Sequence, residues 1–319
     1  MIITVTLNPA LDLTYTFAEA LDRDADVQRA TASSLEASGK GVNVSRALAK
    51  VGTPTCAVLP AGGSTGRALV ELLADDGVAC RVTPQEGQTR VNTTALRPGG
   101  VTVKVNGPGA ALSRAEQDGI MQETEAALRD AVEGTVWLAI CGSLPPGVDS
   151  RLIADLIELG HRYGAKCAVD ASGDALAVAL RAGADLLAPN RGELADVSPS
   201  APVSGPIEGF AAAARALSLD TGAELLISLG ADGALYTDGR DVIHGAGPAL
   251  TPVNTAGAGD ALLAGWLAAD DEPRARLARA IAWGRSACLA DTTVDPAPGT
   301  GDDAQIRIFD VAVNSTPAQ

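Results

Sequence analysis

The chain has 319 residues, 46% hydrophobic and 20% charged, which is ordinary globular usage and supplies ample apolar surface for a large core. Its formal charge of −15, with Lys and Arg scattered along the chain, argues against nucleic acid and anionic membrane partners. Five dispersed cysteines (Cys56, Cys80, Cys141, Cys167, Cys288) form no C-x-x-C pair, and two histidines (His161, His244) leave no basis for a disulfide framework, a zinc cluster or a Ser-His-Asp hydrolase.

The opening residues 1–8 carry neither a basic start nor an apolar signal region, and no apolar run reaches about 18 residues, so cytoplasmic residence is expected. Ile2 to Leu7 alternates and is rich in β-branched residues until Asn8-Pro9 breaks it, which predicts a first core strand. Leu13 to Phe17 with Val27 to Leu35, and Gln88 to Leu96 with Val101 to Val105, read as half-exposed hairpin strands, the second pair joined by Pro98-Gly99-Gly100. From Asn43 onward the pattern becomes strand-then-helix. Apolar patches at Val136 to Ile140, Ala165 to Val169, Asp185 to Ala188 and Leu225 to Leu229 alternate with helical periodicity, the signature of a parallel sheet covered on both faces. Ser113 to Glu116 has capping-box spacing, and Asp149-Ser150 precedes a second helical run. Ser198 to Pro206 reads as a surface loop and not as a domain linker.

The chemistry concentrates in two glycine-rich turns that each run into a helix. Thr255-Ala-Gly257-Ala258-Gly259-Asp260 opens onto an apolar helical run, so its backbone amides and the helix dipole favour a phosphate, with Asp260 placed to take a proton from a hydroxyl attacking that phosphate. Taken alone, the same residues read first as a tight turn with Asp260 as helix cap, and it is their context that points to a phosphate. A Walker A loop is excluded because Gly41 follows Gly39-Lys40, and a dinucleotide fingerprint because Leu262 stands at its third glycine position. The second turn, Ser38-Gly39-Lys40-Gly41-Val-Asn43, delivers a cation and an amide together; alone it is also a capped helix with a solvated lysine.

Gly39-Lys40-Gly41-x-Asn43, Gly142-Ser143-Leu-Pro-Pro-Gly147, Asn190-x-x-Glu193, Ser228-Leu-Gly-Ala-Asp-Gly233 and Gly257-Ala-Gly-Asp260 occur in the order characteristic of one family, and the chain resembles the PfkB/ribokinase-like carbohydrate kinases over nearly its whole length. The opening Thr4 to Asp12 and Gln88-Thr-Arg-Val-Asn92 are similar to the phosphosugar branch, that of 1-phosphofructokinases and tagatose-6-phosphate kinases. The resemblance implies one ribokinase-like domain over residues 1–319. Its three-layer α/β/α core would have a mostly parallel sheet and a small β-sheet lid inserted from about 12–36 and 88–106. It implies ATP-dependent phosphorylation of a ketohexose phosphate, with fructose 1-phosphate first and fructose 6-phosphate or tagatose 6-phosphate next.

By the same resemblance Asp260 is the base and Gly257, Ala258 and Gly259 the anion hole. The nucleotide would lie against Asn190, Ser228, Gly230, Ala231, Gly233, Thr255, Gly259, Ala282 and Gly284. Asn190 and Glu193 would help place Mg2+ through water, which that reluctantly dehydrating ion favours. Asp12, at the end of the first strand, with Gly39, Lys40, Asn43 and Ser143, would orient the sugar. Arg90, with Arg29 and Lys104 on neighbouring lid strands, would surround its phosphate. Several members dimerise through the lid, which makes a homodimer an expectation. Ser38, Ala188 and Ala261 depart from the family pattern, yet none removes the base or the glycines. A kinase of an unphosphorylated sugar would need no basic lid, and a non-catalytic sugar-phosphate-binding protein would keep the lid while losing base or glycines.

Overall fold

A computed structural model describes residues 1–19, 26–97, 101–131, 134–294, 297 and 305–313. In chain order the elements are β1 (Ile2–Val5), β2 (Ala10–Thr16), β3 (Ala32–Ser38), α1 (Lys40–Lys50), β4 (Thr55–Ala61), α2 (Gly63–Asp75), β5 (Ala79–Pro84), β6 (Arg90–Arg97) and β7 (Val101–Val105). There follow α3 (Arg114–Asp130), β8 (Trp137–Cys141), α4 (Arg151–Arg162), β9 (Lys166–Asp170), α5 (Gly173–Arg181), β10 (Leu186–Leu187), α6 (Arg191–Val197) and α7 (Ile207–Thr221). The chain ends its regular structure with β11 (Glu224–Ser228), β12 (Ala234–Thr237), β13 (Val242–Ala246), α8 (Ala258–Leu267), α9 (Pro273–Leu289) and β14 (Arg307–Asp310).

Ten strands form one sheet in the order β14-β13-β12-β11-β10-β9-β8-β1-β4-β5. From β5 to β11 every pairing is parallel, and β12, β13 and β14 add an antiparallel edge. Because strand side chains alternate, Ile3 and Val5 pack with Ile120, Leu156 and Phe210 of the α3–α7 layer, while Ile2 packs with Leu48 and Trp266 of the layer holding α1, α8 and α9. Two buried faces explain why these strands read as continuous apolar patches. The expected α/β/α core with a mostly parallel sheet is therefore present. The long helices begin where their caps predict: Ser113 and Glu116 form the capping box of α3, and the Asp149 carboxylate accepts the Arg151 amide at 2.7 Å ahead of α4.

A separate four-stranded sheet, β3-β2-β6-β7, makes the lid. It consists of two antiparallel hairpins joined by a parallel β2–β6 pairing. One face carries Asp12, Asn92, Thr94 and Lys104 toward the sheet ends; the register puts Leu13, Tyr15, Leu35, Val91, Val103 and Val105 on the other, where the last five are exposed. Two sequence expectations need correction. Asp12 is not at the end of the first strand, which stops at Val5, but inside β2; and β3 starts at Ala32, so Arg29 lies on the irregular segment before it. The Pro98-Gly99-Gly100 turn lies outside the described residues.

Candidate active site

The parallel strands all point their carboxyl ends at one region, the place where open α/β sheets gather ligand-binding residues. Asn8 follows β1, Gly142 and Ser143 follow β8, Asp170 ends β9, Asn190 follows β10 and Ser228 ends β11. Three adjoining cavities lie there. One, of about 280 Å³, holds Gly39, Lys40, Asn43, Arg90, Ser143, Glu193 and Asp260. A central one of about 390 Å³ shares Lys40, Glu193 and Asp260 with it and adds Asp12, Lys104, Asp170, Asn190 and Gly257. The third, about 480 Å³, shares Ser228, Thr255, Gly259 and Leu262 with the central cavity and runs along Gly230, Ala231, Gly233, Ala258 and Gly284.

At the junction stands the N-terminus of α8. Gly257 caps it with φ of 76°, and a β-carbon there would lie 2.1 Å from Thr293 O, so only glycine fits. The first intrahelical bond runs from Ala261 N to Gly257 O at 2.8 Å, which leaves the preceding amides of the turn for an anion. A β-carbon on Gly259 would meet nothing within 4 Å, because that position opens into the cavities. Asp260 is not the cap. It is the third residue of the helix, only 7% exposed, and its Oδ2 accepts Asn43 Nδ2 at 2.7 Å. Burial pushes its carboxyl up to about 7, the neighbouring Asp170 charge adds to the rise, and the Asn43 hydrogen bond and Lys40 oppose it.

Lys40, first residue of α1, reaches across to Asp170, with Nζ 2.6 Å from Oδ1. Burial disfavours its ammonium, but Asp170 outweighs that and holds the lysine above its ordinary value. Asp12 is held from both sides of the lid, accepting Ser38 Oγ at 2.7 Å and Asn92 Nδ2 at 2.8 Å. Arg90 donates to Asn8 O at 2.8 Å and Gly107 O at 3.1 Å, which fixes its guanidinium at the cavity wall. The Asn190 side chain caps α6, accepting the Gly192 and Glu193 amides at 2.9 and 3.0 Å, and the Glu193 carboxylate accepts the Asn190 amide at 2.8 Å. The cap geometry and the cavity position coexist, since it is the cap that fixes Glu193 against the cavity.

Two residues read as site residues are not brought there. Arg29 is exposed and lines none of the three cavities; Ala282 is fully buried inside α9 and lines none either. Conversely Asp170, Asn8, Asn92 and Asn106 line the site without having been read as site residues, although Asn8 and Asn92 lie in segments that the sequence singled out. The available signal for Asp170 was a lone acid directly after the buried run Ala165 to Val169, at a carboxyl strand end. Of the eight buried polar side-chain atoms that lack a partner among the described residues, three belong to cavity residues: Asn43 Oδ1, Asn92 Oδ1 and Arg90 Nε.

Two polar cavities and a longer cleft meet at an amide-lined helix start beside a buried acid, an arrangement suited to phosphoryl transfer in an α/β enzyme. Residues 5–293 match the family described as pfkB family carbohydrate kinase. The 1-phosphofructokinase of Rhodobacter capsulatus is 35% identical over 291 residues, covering 89% of this chain and 89% of its own length. The ATP-dependent 6-phosphofructokinase isozyme 2 of Escherichia coli (strain K12) is 35% identical over 264 residues, covering 82% and 83%. The crystal structure of phosphofructokinase-2 from Escherichia coli in complex with substrates and products superposes with a TM-score of 0.85 at 32% identity, over 93% of this chain and 95% of that one. This chain belongs to the pfkB family of carbohydrate kinases, and it is a sugar kinase, a phosphotransferase with an alcohol group as acceptor.

Proposed function

We propose that this chain transfers the terminal phosphoryl group of ATP to a ketohexose phosphate, with fructose 1-phosphate, which gives fructose 1,6-bisphosphate, as first acceptor. The observation that carries this reading is Arg90 sharing one cavity with Asp260 and Lys40, with Lys104 on the adjoining wall, cations that an unphosphorylated sugar does not need. The orphaned Asn43 and Asn92 oxygens and Arg90 Nε favour a ligand rich in hydroxyl and phosphate oxygen, because each buried unpaired group costs about 1–3 kcal/mol until it is satisfied. Fructose 6-phosphate is the first alternative, since a 6-phosphofructokinase relative is as similar as the 1-phosphofructokinase one, and tagatose 6-phosphate is the second, on the resemblance of Thr4 to Asp12 and Gln88 to Asn92 alone.

Asp260 acts as general base on the accepting hydroxyl; a carboxyl near 7 is matched to proton transfer at neutral pH, and Asn43 aims it. Asp12, Gly39, Ser143 and Asn43 orient the sugar, and Arg90 with Lys104 and Lys40 attracts its phosphate. The amides of Gly257, Ala258 and Gly259 receive the transferring group, and the nucleotide runs along Ser228, Gly230, Ala231, Gly233, Thr255 and Gly284. The acidic, oxygen-rich lining of Asp12, Asp170, Glu193 and Asp260 fits a hard divalent cation, and Glu193, fixed by Asn190, would hold Mg2+ through water. Bound there, Mg2+ supplies charge neutralisation on phosphate oxygens.

The lid covers the acceptor and excludes water, and its exposed apolar face supports pairing with a second copy as a homodimer. Among the described residues no helix is long and apolar enough to cross a membrane; five free cysteines support residence in the reducing cytoplasm. The test is ADP release by purified protein with ATP and magnesium over fructose 1-phosphate, fructose 6-phosphate, tagatose 6-phosphate, fructose and ribose. A dominant response to one phosphosugar is expected; a response only to fructose or ribose overturns the phosphate assignment.

A further inference from the structure

Glu36 sits on the lid strand β3, opposite Asp12 in register, yet its carboxylate leaves the lid. Its Oε2 accepts Thr293 N at 3.2 Å and Thr293 Oγ1 at 3.4 Å, a contact that spans 257 positions of sequence. Its Oε1 accepts Arg46 Nη2 at 3.2 Å. Thr293 in turn backs the phosphate-binding turn, since the β-carbon that Gly257 lacks would fall 2.1 Å from Thr293 O and 3.1 Å from its Cγ2. One carboxylate thus joins the strand whose Ser38 holds Asp12 to the residue packed behind the amides that face the nucleotide.

Arg46 anchors the other end. It lies on α1 one turn beyond Asn43, donates to Ala37 O at 2.8 Å, and its Nε is 2.6 Å from Asp76 Oδ2. Glu36, Arg46 and Thr293 are all nearly inaccessible, and none lines any of the three cavities. Their contacts therefore serve neither solvent nor ligand directly. At 3.2–3.4 Å these bonds to the carboxylate are long, but in a buried setting an unpaired charge is costly, so they still favour one spacing between β3 and the α8 turn.

We propose that Glu36 is a positioning residue that couples the lid to the phosphate turn, so that a sugar phosphate seated against β2 and β3 tightens nucleotide binding at α8. The inference rests on the sugar-phosphate kinase reading given above. An acceptor that holds β3 against the core favours the arrangement in which Glu36 grips Thr293 and Thr293 supports Gly257, and linkage makes the two ligands reinforce each other by the same factor. The consequence is economy of ATP: the arrangement with Glu36 on Thr293 is most populated when an alcohol is present to receive the phosphoryl group, and water is a poorer competitor.

The experiment uses the full chain as wild type, Glu36→Ala, the conservative Glu36→Gln, and Thr293→Val. Calorimetry gives the dissociation constant of the ATP analogue adenylyl imidodiphosphate with magnesium, alone and with a saturating level of the phosphosugar that responds in the ADP-release panel. In wild type the sugar phosphate should tighten the analogue at least about 5-fold. Glu36→Ala should cut that ratio below about 2-fold while leaving the binary constant within about 2-fold, and should raise ADP released per sugar phosphorylated. Glu36→Gln, which keeps one acceptor oxygen, should recover part of the ratio. A merely structural Glu36 would lower melting temperature or weaken every constant together with the ratio intact, and that result overturns the proposal, as does a wild type with no tightening. Should Glu36→Ala fail to fold, an unchanged ratio in Glu36→Gln and Thr293→Val overturns it and a reduced one supports it. Wild type that turns over no acceptor refutes the sugar-kinase reading itself and the inference with it; turnover with the ratio preserved in the variants refutes the inference alone.

Discussion

Replacing Asp260 by Asn should cost activity and add stability, in a pH-dependent way that the geometry fixes. In the folded protein burial and the charge of Asp170 push the Asp260 carboxyl from an ordinary 3.8 up to about 7. At roughly 1.4 kcal/mol per pH unit that rise is about 4 kcal/mol of destabilisation carried by the ionised native state, an upper bound with the Lys40 and Asn43 contacts already counted in it; relaxation and water penetration around the carboxylate bring it to about 2 kcal/mol. The sign follows from the raised folded value. The contribution of Asp260 to stability is fully present below about pH 4, is lost as pH rises toward 7, and stays lost above it. The amide of Asp260→Asn carries no charge at any pH, and its oxygen can still accept Asn43 Nδ2 in place of Oδ2. The variant's melting temperature should therefore exceed wild type by about 3 °C at pH 8, with the advantage shrinking as pH falls through 7 toward 4. Its kcat should fall about 10²–10⁴-fold with ATP affinity near normal, as loss of a general base requires. Differential scanning calorimetry at pH 5, 6, 7 and 8, with ADP-release kinetics on the same preparations, reads both. Equal melting curves at pH 8 would show that the carboxyl is not held under electrostatic stress, and a variant with wild-type turnover would remove it from proton transfer.

Four further substitutions test the site and the outer face of the lid. Arg90→Ala should weaken a sugar phosphate by about 1.5–3 kcal/mol, the range of a charge-assisted hydrogen bond, with little loss for the unphosphorylated sugar; equal losses on both would dissociate Arg90 from the phosphate. Gly259→Ala and Gly257→Ala should fail differently. The first places a methyl in open cavity space and should raise the KM for ATP at unchanged melting temperature, while the second collides with Thr293 O and adopts a left-handed φ, so it should destabilise the fold by about 2 kcal/mol or more. Leu35→Lys on the outer lid face should shift the protein toward monomer in size-exclusion chromatography with light scattering if that face pairs two copies, and an unchanged mass would exclude the pairing.

Much of the core was legible because its signals are local. Strands buried on both faces announce themselves as apolar runs, so Val136 to Ile140 and Ala165 to Val169 fall within one residue of β8 and β9. Ser113 and Glu116 marked the start of α3 because a capping box is closed by residues three apart. The antiparallel edge of β12, β13 and β14 was not legible, since short strands such as Ala234–Thr237 gain their identity from neighbours that sequence spacing does not reveal. The first lid hairpin was misjudged for a related reason. The expected strand ran from Val27 to Leu35, but pairing with β2 begins only at Ala32, opposite Thr16, and where a strand starts to pair is not written in its own residues.

The site divided along the same line. Turns that bind through their own backbone can be recognised one at a time, because the glycines are needed where they stand: Gly257 to Asp260 and Gly39 to Asn43 were found as segments. That they meet in one site was expected only from the family resemblance and not from spacing along the chain, and it is the contacts between them that set the chemistry. Asn43 holds Asp260 across 217 positions, and Lys40 meets Asp170 across 130. Asp170 shows why this matters. Read along the chain it is one acid after a strand, yet in the fold it both pairs Lys40 and adds to the rise that burial gives the Asp260 carboxyl, so the proton affinity of Asp260 depends on a residue that no local motif contains. A glycine turn can thus identify where a phosphate binds, whereas the ionisation of the acid beside it belongs to the assembled sheet.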